Sequence, residues 1–208
     1  MALDPITQKH LNRLRIRGAP ATIPGSAGFV GSYDAEETWR QTGRALSMPI
    51  ARPLTAASLK AAFTKLREIA EQHSIKIGDE PLFALKGDPN EDPPHKWEYE
   101  ALLPIRGAAK LPADSGDGAA ITRIEGGMHI ATLAPHGLPD LGNVYVYLFG
   151  KFMPAKKQQL MRPYLLHQVV DGLDAEHLRD DALIIAVYVP AVLSIKPVIV
   201  PGESSEAT

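Results

Sequence analysis

The sequence predicts an α+β fold made of a tandem βαββ repeat with pseudo-twofold symmetry, in which two antiparallel sheets and two long helices enclose a central ligand pocket. Three observations predict this fold. An amphipathic helical pattern that begins at Leu59 recurs 82 residues later, at Leu141. A short apolar run follows each helix after a proline, and each half then ends in a longer apolar run that closes on a proline. A pattern repeated at a nearly constant offset indicates an internal duplication.

The two helices are predicted from the spacing of their apolar residues. In each stretch four such residues follow one another at intervals of 4, 3 and 4, which places them on one helix face. They are Leu59, Phe63, Leu66 and Ala70 in the first stretch and Leu141, Tyr145, Leu148 and Phe152 in the second. Thr55 or Ser58 can cap the first helix, and Asp140 stands at the start of the second. Each helix is therefore expected to bury one face, Tyr145 included.

Strands are predicted on both sides of each helix, because short apolar runs bounded by turn residues favour strands. The predicted strands are 28–33, 81–85 and 96–104 in the first half and 128–133, 163–167 and 181–190 in the second. Residues 34–53 are interpreted as an insertion between the first strand and its helix. Trp39, in this insertion, is expected on a short helix that covers the mouth of the pocket.

The chain divides into five segments that form one globular domain. Residues 1–19 are expected to be an N-terminal extension, and 196–208 a polar tail. The first repeat is placed at 20–106 and the second at 119–195. Between them, 107–118 is rich in Ala, Gly, Pro and Asp, a composition typical of a linker.

Composition excludes several classes of protein. Lys+Arg number 22 and Asp+Glu 24, so the formal net charge is -2 and does not favour direct binding to nucleic acid or an anionic membrane. The absence of cysteine excludes disulfides, thiolate catalysis and cysteine-based metal sites, and fits a cytoplasmic protein. The N-terminus does not read as a secretion signal, and no apolar stretch reaches the roughly 18 residues that a membrane helix needs.

Three short motifs, in this order, resemble the gyrase-inhibitor-like family, whose domain is also the effector-binding domain of many bacterial transcription activators. They are Gly78-Asp79-Glu80-Pro81, Glu98-Tyr99-Glu100-Ala101-Leu102-Leu103-Pro104 and His136-Gly137. The resemblance covers roughly residues 20–195. It implies a pocket for bulky, aromatic and often cationic molecules, with a buried carboxylate at the position of Glu100.

The resemblance also implies alternatives for function. Some proteins with this domain alone inhibit gyrase, and some look like hydrolases of DNA-alkylating cyclopropane compounds. The roughly 20 residues before the repeat are too few for a helix-turn-helix domain, so direct control of transcription is not expected. A protein partner such as gyrase or a regulator remains an alternative, although no long basic or apolar stripe favours a protein-interaction module.

Alternation along a strand places Glu98 and Glu100 on one face and Trp97 and Tyr99 on the other. Two carboxylates on one face can attract a cation, or serve as general acid and base if the enzyme alternative holds. Aromatic walls would come from Tyr147, Tyr164 and Tyr188 together with Trp97 or Tyr99. Which strand face points inward stays open, and for each aromatic the alternative is ordinary core packing.

The histidines are not spaced as metal ligands on one element, so neither a metal nor another cofactor is expected. His136, before Gly137 at a predicted turn, is expected at the edge of the pocket. His167 lies on a predicted strand and can equally be a core histidine. The main hypothesis is a stand-alone binding domain that senses or sequesters a lipophilic, aromatic or cationic compound. The enzymatic alternative uses the same cavity to hydrolyse a reactive electrophile.

Overall fold

The computed structural model describes residues 33–89, 96–112 and 118–193. The strands in this part of the chain are β1 Glu36–Arg40, β2 Gly43–Pro49, β3 Leu82–Lys86, β4 Glu98–Pro104, β5 Ala120–Ile124, β6 Gly127–Ala134, β7 Gln158–Leu160, β8 Tyr164–Asp171 and β9 Ile184–Leu193. The helices are α1 Ala56–Gln72, α2 Leu141–Tyr147 and α3 Met153–Ala155, with a π-helical turn at Leu148–Phe152 between the last two. Short 3-10 turns lie at Leu138–Asp140 and Asp180–Ala182.

All strand pairs are antiparallel, and the order across the sheet is β1-β6-β9-β8-β3-β4-β2-β5, with β7 beside the end of β9. The α+β class, a mostly antiparallel sheet with two helical segments, is confirmed. The prediction of two separate sheets is wrong, because β3 and β8 pair directly and Ala84 lies opposite Leu166. Continuous backbone pairing satisfies the donors and acceptors that two inner edges would expose.

Each half of the chain supplies an edge strand to the other half. β1, from the first half, pairs with β6, where Thr38 lies opposite His129. β5, from the second half, pairs with β2, where Thr122 lies opposite Ala45. The outermost strands on both sides of the sheet therefore cross over from the opposite half.

The interpretation of residues 34–53 as an insertion with a short helix is wrong. This segment forms β1 and β2, and Trp39 lies on β1 with 72 % of its surface exposed. Pairing with β6 on one side is what holds the polar segment Glu36–Arg40 in a strand. The opening strand predicted at 28–33 lies outside the described residues except for Tyr33, which precedes β1.

The first helix forms as its sequence predicts. Thr55 and Ser58 make a capping box, in which the Thr55 side chain accepts from the Ser58 backbone N–H and the Ser58 hydroxyl accepts from the Thr55 N–H. The predicted apolar stripe of α1 is buried against the sheet. In the second helical segment, the Asp140 carboxylate does not cap the helix; it accepts a hydrogen bond of 2.6 Å from the Tyr33 hydroxyl instead.

The helices cover one face of the sheet, here called the helix face. Its core includes Phe83, whose ring stacks on His167 with a centroid distance of 4.5 Å. The Tyr145 hydroxyl lies 2.7 Å from His167 Nε2, and both side chains are buried. The expected core packing of Tyr145 is confirmed, and the structure supports the core alternative for His167.

Candidate functional site

The opposite face of the sheet, here called the open face, carries a second apolar cluster to which no helix contributes in the described part of the chain. Strand register decides which residues share it, since alternate side chains point to the same side. The floor is formed by small and medium side chains: Ala45, Leu82, Ala84, Leu102, Ala131, Leu133, Leu166 and Ala186. Four of these residues are alanines, so the polar and aromatic side chains beside them extend farther from the plane of the sheet.

The two glutamates of β4 lie together on this open face. Glu100 is opposite Ala84 and Glu98 is opposite Lys86, so both share a face with Leu102. Glu100 is 7 % exposed, and its Oε2 lies 3.0 Å from the Lys86 Nζ. The buried Glu100 carboxylate thus already forms an ion pair with Lys86. A cationic ligand at Glu100 would have to compete with that lysine.

Tyr164 stands on the same face, opposite Lys86 across the β3–β8 pair. Within the described ranges its hydroxyl is buried and has no hydrogen-bond partner. Burial raises the pKa of Tyr164, the charge of Glu100 raises it further, and Arg162 opposes the rise. The charges of Glu100 and Arg162 therefore both act on the Tyr164 hydroxyl.

Tyr188 of β9 lies on the open face next to Gln168 of β8. Its side chain is 1 % exposed, and its hydroxyl donates a hydrogen bond of 3.2 Å to Gln168 Oε1. The guanidinium carbon of Arg40, from β1, is 4.1 Å from the centroid of the Tyr188 ring. This is a cation–π contact between an edge strand supplied by the first half and a central strand of the second.

A cavity of about 380 Å³ opens beside Tyr188, Gln168 and Arg40, whereas Glu98, Glu100 and Tyr164 are not among its lining residues. Its lining residues come from β1, β8, β9, the turn after β1 and the loop before β3: Thr38, Trp39, Arg40, Gln41, Glu80, Gln168 and Tyr188. Its size is within the range of small-molecule sites. Trp39 is part of this lining through β1, not through the expected helix, and its side chain points to the opposite face from those of Thr38 and Arg40.

Two predicted aromatic wall residues, Trp97 and Tyr99, lie on the helix face instead. Trp97 packs edge-on against Tyr145 at 5.8 Å on the helix face, and Tyr99 packs 6.3 Å from Phe83 on that face. Burial raises the pKa of Tyr99 to about 12, an effect that Arg52 opposes. Trp97 and Tyr99 therefore do not share a surface with Glu100, as the alternation along β4 predicts.

Tyr147 and His136 are also outside the group on the open face. Tyr147 lies in the helical segment, 5.6 Å from the Tyr33 ring and 6.3 Å from Phe152. His136 is in the turn between β6 and α2. From the predicted set, the structure places Glu98, Glu100, Tyr164 and Tyr188 on one face, with β3 and β8 between Glu100 and Tyr188. Their role in binding stays a prediction.

Several residues of this face were not singled out from the sequence. They are Lys86, Arg40, Gln168, Arg162 and His129. Burial, together with the charges of Arg40 and Arg162, lowers the pKa of His129 to about 4, and the Gly127 carbonyl opposes this. The alternation that linked Glu98 to Glu100 also applies within β8, where Tyr164 and Gln168 share a face; Arg40 has no such signal, because β1 was not recognised as a strand.

In the described part of the chain, no group of three or more His, Asp or Glu side chains could hold a metal ion. Nor does any helix there have the length and apolar character needed to cross a membrane.

No family model and no curated protein match the chain. Solved structures do match. The EcmrR chain in its cryo-EM complex with DNA superposes with a TM-score of 0.61 at 11 % identity, over 90 % of this chain and 64 % of that chain. The crystal structure of the EcmrR C-terminal domain gives 0.58 at 14 % identity, over 77 % and 98 %. A hydrolase from Listeria innocua gives 0.52 at 10 % identity, over 76 % and 91 %.

These likenesses show the fold. The chain is similar to nearly the whole EcmrR C-terminal domain but spans less than two thirds of EcmrR in the DNA complex. The architecture is thus consistent with the effector-binding fold that the three sequence motifs resemble. At identities this low, the function of a neighbour does not carry over to this protein.

Proposed function

We propose that this chain forms a small-molecule-binding domain that senses or sequesters an aromatic compound on the open face of the sheet. The observation that carries the proposal is the cavity into which the Tyr188–Gln168 pair and Arg40 converge. Polar groups held in fixed positions on a cavity wall are typical of ligand sites, because they set the orientation of the ligand. We expect the protein to act in the cytoplasm.

The strand order supports the proposed duplication. Exchanging β1 with β5, β2 with β6, β3 with β8 and β4 with β9 turns the order of the sheet into its own reverse. A pseudo-twofold axis between β3 and β8 would produce this relation. We therefore retain 20–106 and 119–195 as the two repeats, with 107–118 as the linker between them.

The expected cationic ligand meets two obstacles on this face. Lys86 already pairs with Glu100, and Arg40 already covers one side of the Tyr188 ring. An aromatic body remains compatible with the cavity, because the Tyr188 ring lines it from the open face. The proposal therefore concerns an aromatic ligand, and its charge is considered separately below.

Filling the cavity tests the proposal. Replacing Thr38 with tryptophan places a large ring on the cavity lining, and we expect it to weaken binding of any ligand held there at least tenfold, or by about 1.4 kcal/mol. The measurement is thermal shift followed by calorimetry with a panel of aromatic anions, cations and neutral compounds.

The chain offers a matched control. Thr122 occupies the third position of β5, as Thr38 does of β1, but lies at the other end of the sheet, so Thr122→Trp should leave binding unchanged. Equal binding by the wild type and both variants would place the ligand outside this cavity and contradict the proposal.

One observation favours a second candidate, the hydrolase. The buried Tyr164 hydroxyl has no partner in the described residues, and Glu100 acts on it electrostatically. A hydroxyl and two carboxylates on one face could position water against an electrophile. Mass spectrometry of cyclopropane-containing electrophiles incubated with the protein tests this candidate; product that persists in both Glu98→Gln and Glu100→Gln variants would exclude these carboxylates.

A further inference from the structure

We infer that the cavity beside Tyr188 selects an aromatic ligand that carries an anionic group, and that Arg40 binds this group. The inference rests on the proposed binding function and adds the chemical class of the ligand. An aromatic carboxylate is the simplest compound of this class. The family resemblance implies the opposite charge, so the two expectations can be separated by experiment.

The first argument is the state of Arg40. The Arg40 guanidinium lies over the face of the Tyr188 ring. Although Glu80 lines the same cavity, no carboxylate oxygen of the described residues lies within 4.0 Å of the Arg40 nitrogen atoms, the limit for an ion pair. A guanidinium that contacts a ring keeps its N–H donors for other partners, and those donors match a carboxylate in a two-point arrangement. Arg40 is thus a positive group on the cavity wall that forms no ion pair with an acid of the described residues.

The second argument is the electrostatic environment around Arg40. Arg40 and Arg162 both disfavour the charged form of His129, a buried neighbour on the open face, and no acidic group counts among the causes of its lowered pKa. With a pKa of about 4, His129 is neutral near pH 7 and adds no charge of its own. Two cationic side chains therefore lie close to His129 on this side of the open face, and both attract anions.

The third argument is the donor set. Gln168 Oε1 accepts from the Tyr188 hydroxyl, which fixes the orientation of the amide. In the described ranges the amide NH₂ of Gln168 has no hydrogen-bond partner, and Gln168 lines the cavity with Arg40. A guanidinium and an amide NH₂ on one cavity are both donors, so their natural partner is an acceptor such as a carboxylate.

A cationic ligand would meet protein cations at both places where the open face could bind it. At Tyr188 it would have to displace Arg40 from the ring, and at Glu100 it would have to displace Lys86 from a 3.0 Å ion pair. Both displacements leave a protein cation close to the ligand cation, and like charges at short range repel. The two places where a cation would bind are thus taken by the side chains of the protein.

Three probes with the same ring system test the inference: naphthalene-2-carboxylate, its neutral carboxamide and 2-(aminomethyl)naphthalene. By calorimetry with the full chain we expect the carboxylate to bind at least tenfold more tightly than the carboxamide, and the cation to bind most weakly. Arg40→Gln should remove the preference for the carboxylate over the carboxamide. Arg40→Lys, which keeps the charge but not the two-point geometry, should retain part of the preference.

Arg123→Gln is the matched control, because Arg123 is exposed on β5 at the other end of the sheet and its loss changes net charge equally. If the carboxamide or the cation binds the wild type as tightly as the carboxylate does, the charge inference is overturned while the binding proposal stands. If no probe binds, the inference for an aromatic carboxylate is overturned, and the Thr38→Trp experiment with the wider panel decides the binding proposal separately.

Discussion

Replacing Gly137 with alanine should lower the free energy of unfolding by about 3 kcal/mol. Gly137 has φ 66° and ψ -144°, a conformation that side-chain-bearing residues rarely adopt. A Cβ there would also lie far inside van der Waals contact with the Asp180 carbonyl oxygen. The Asp180 carboxylate in turn accepts the backbone N–H of Ala56 at the start of α1, at 2.6 Å. A shift of this turn would therefore disturb the helix as well.

Urea denaturation of the two proteins measures the difference. Gly142→Ala is the control, because Gly142 lies in α2 and has open space around the position of a Cβ. Alanine forms helix better than glycine, so this variant should gain about 0.5–1 kcal/mol. A Gly137→Ala variant that unfolds at the wild-type urea concentration would show that the turn does not require glycine.

Acid should destabilise the protein through His167. This side chain is fully buried, and burial lowers its pKa to about 3, an effect that a hydrogen bond with the Phe83 carbonyl partly opposes. The unfolded chain regains a histidine pKa of about 6.5, so between these values the unfolded state binds one more proton than the folded state. The free energy of unfolding should then fall by about 1.4 kcal/mol for each pH unit below about 6.5, with a second contribution from His129 that ends near pH 4.

The slope of stability against pH, measured by urea denaturation at pH 7, 6 and 5, tests this. His167→Gln should be less stable at pH 7, because the contact with Tyr145 changes, but its slope should be shallower by one proton. His177→Gln, at an exposed position, is the control and should keep the wild-type slope. Equal slopes in the wild type and the His167 variant would mean that His167 does not set the acid sensitivity.

Local patterns in the sequence predicted the elements that bury an apolar face. The strands on both sides of each helix carry continuous apolar runs, and the predictions at 81–85, 96–104, 128–133, 163–167 and 181–190 correspond to β3, β4, β6, β8 and β9. β1 and β5 were missed because edge strands are short and carry charged residues, which removes the periodic signal. β2 was missed with β1, since the whole segment 34–53 was interpreted as an insertion.

The site was predictable only where one strand defines it. Alternation within β4 placed Glu98 and Glu100 on one face, as the structure shows. The pairing of Glu100 with Lys86, and of Tyr188 with Arg40, depends on the register between strands that are distant in sequence. No local pattern encodes that register, so the charges that oppose a cationic ligand could not be foreseen.

The exchange of edge strands has a consequence for synthesis of the protein on the ribosome. β1 leaves the ribosome early, yet its partner β6 is made only after β2 through β5 have emerged. Pairings between such distant segments form slowly, since a long loop must close before they contribute. Throughout that interval β1 is a nascent segment that lacks its partner strand.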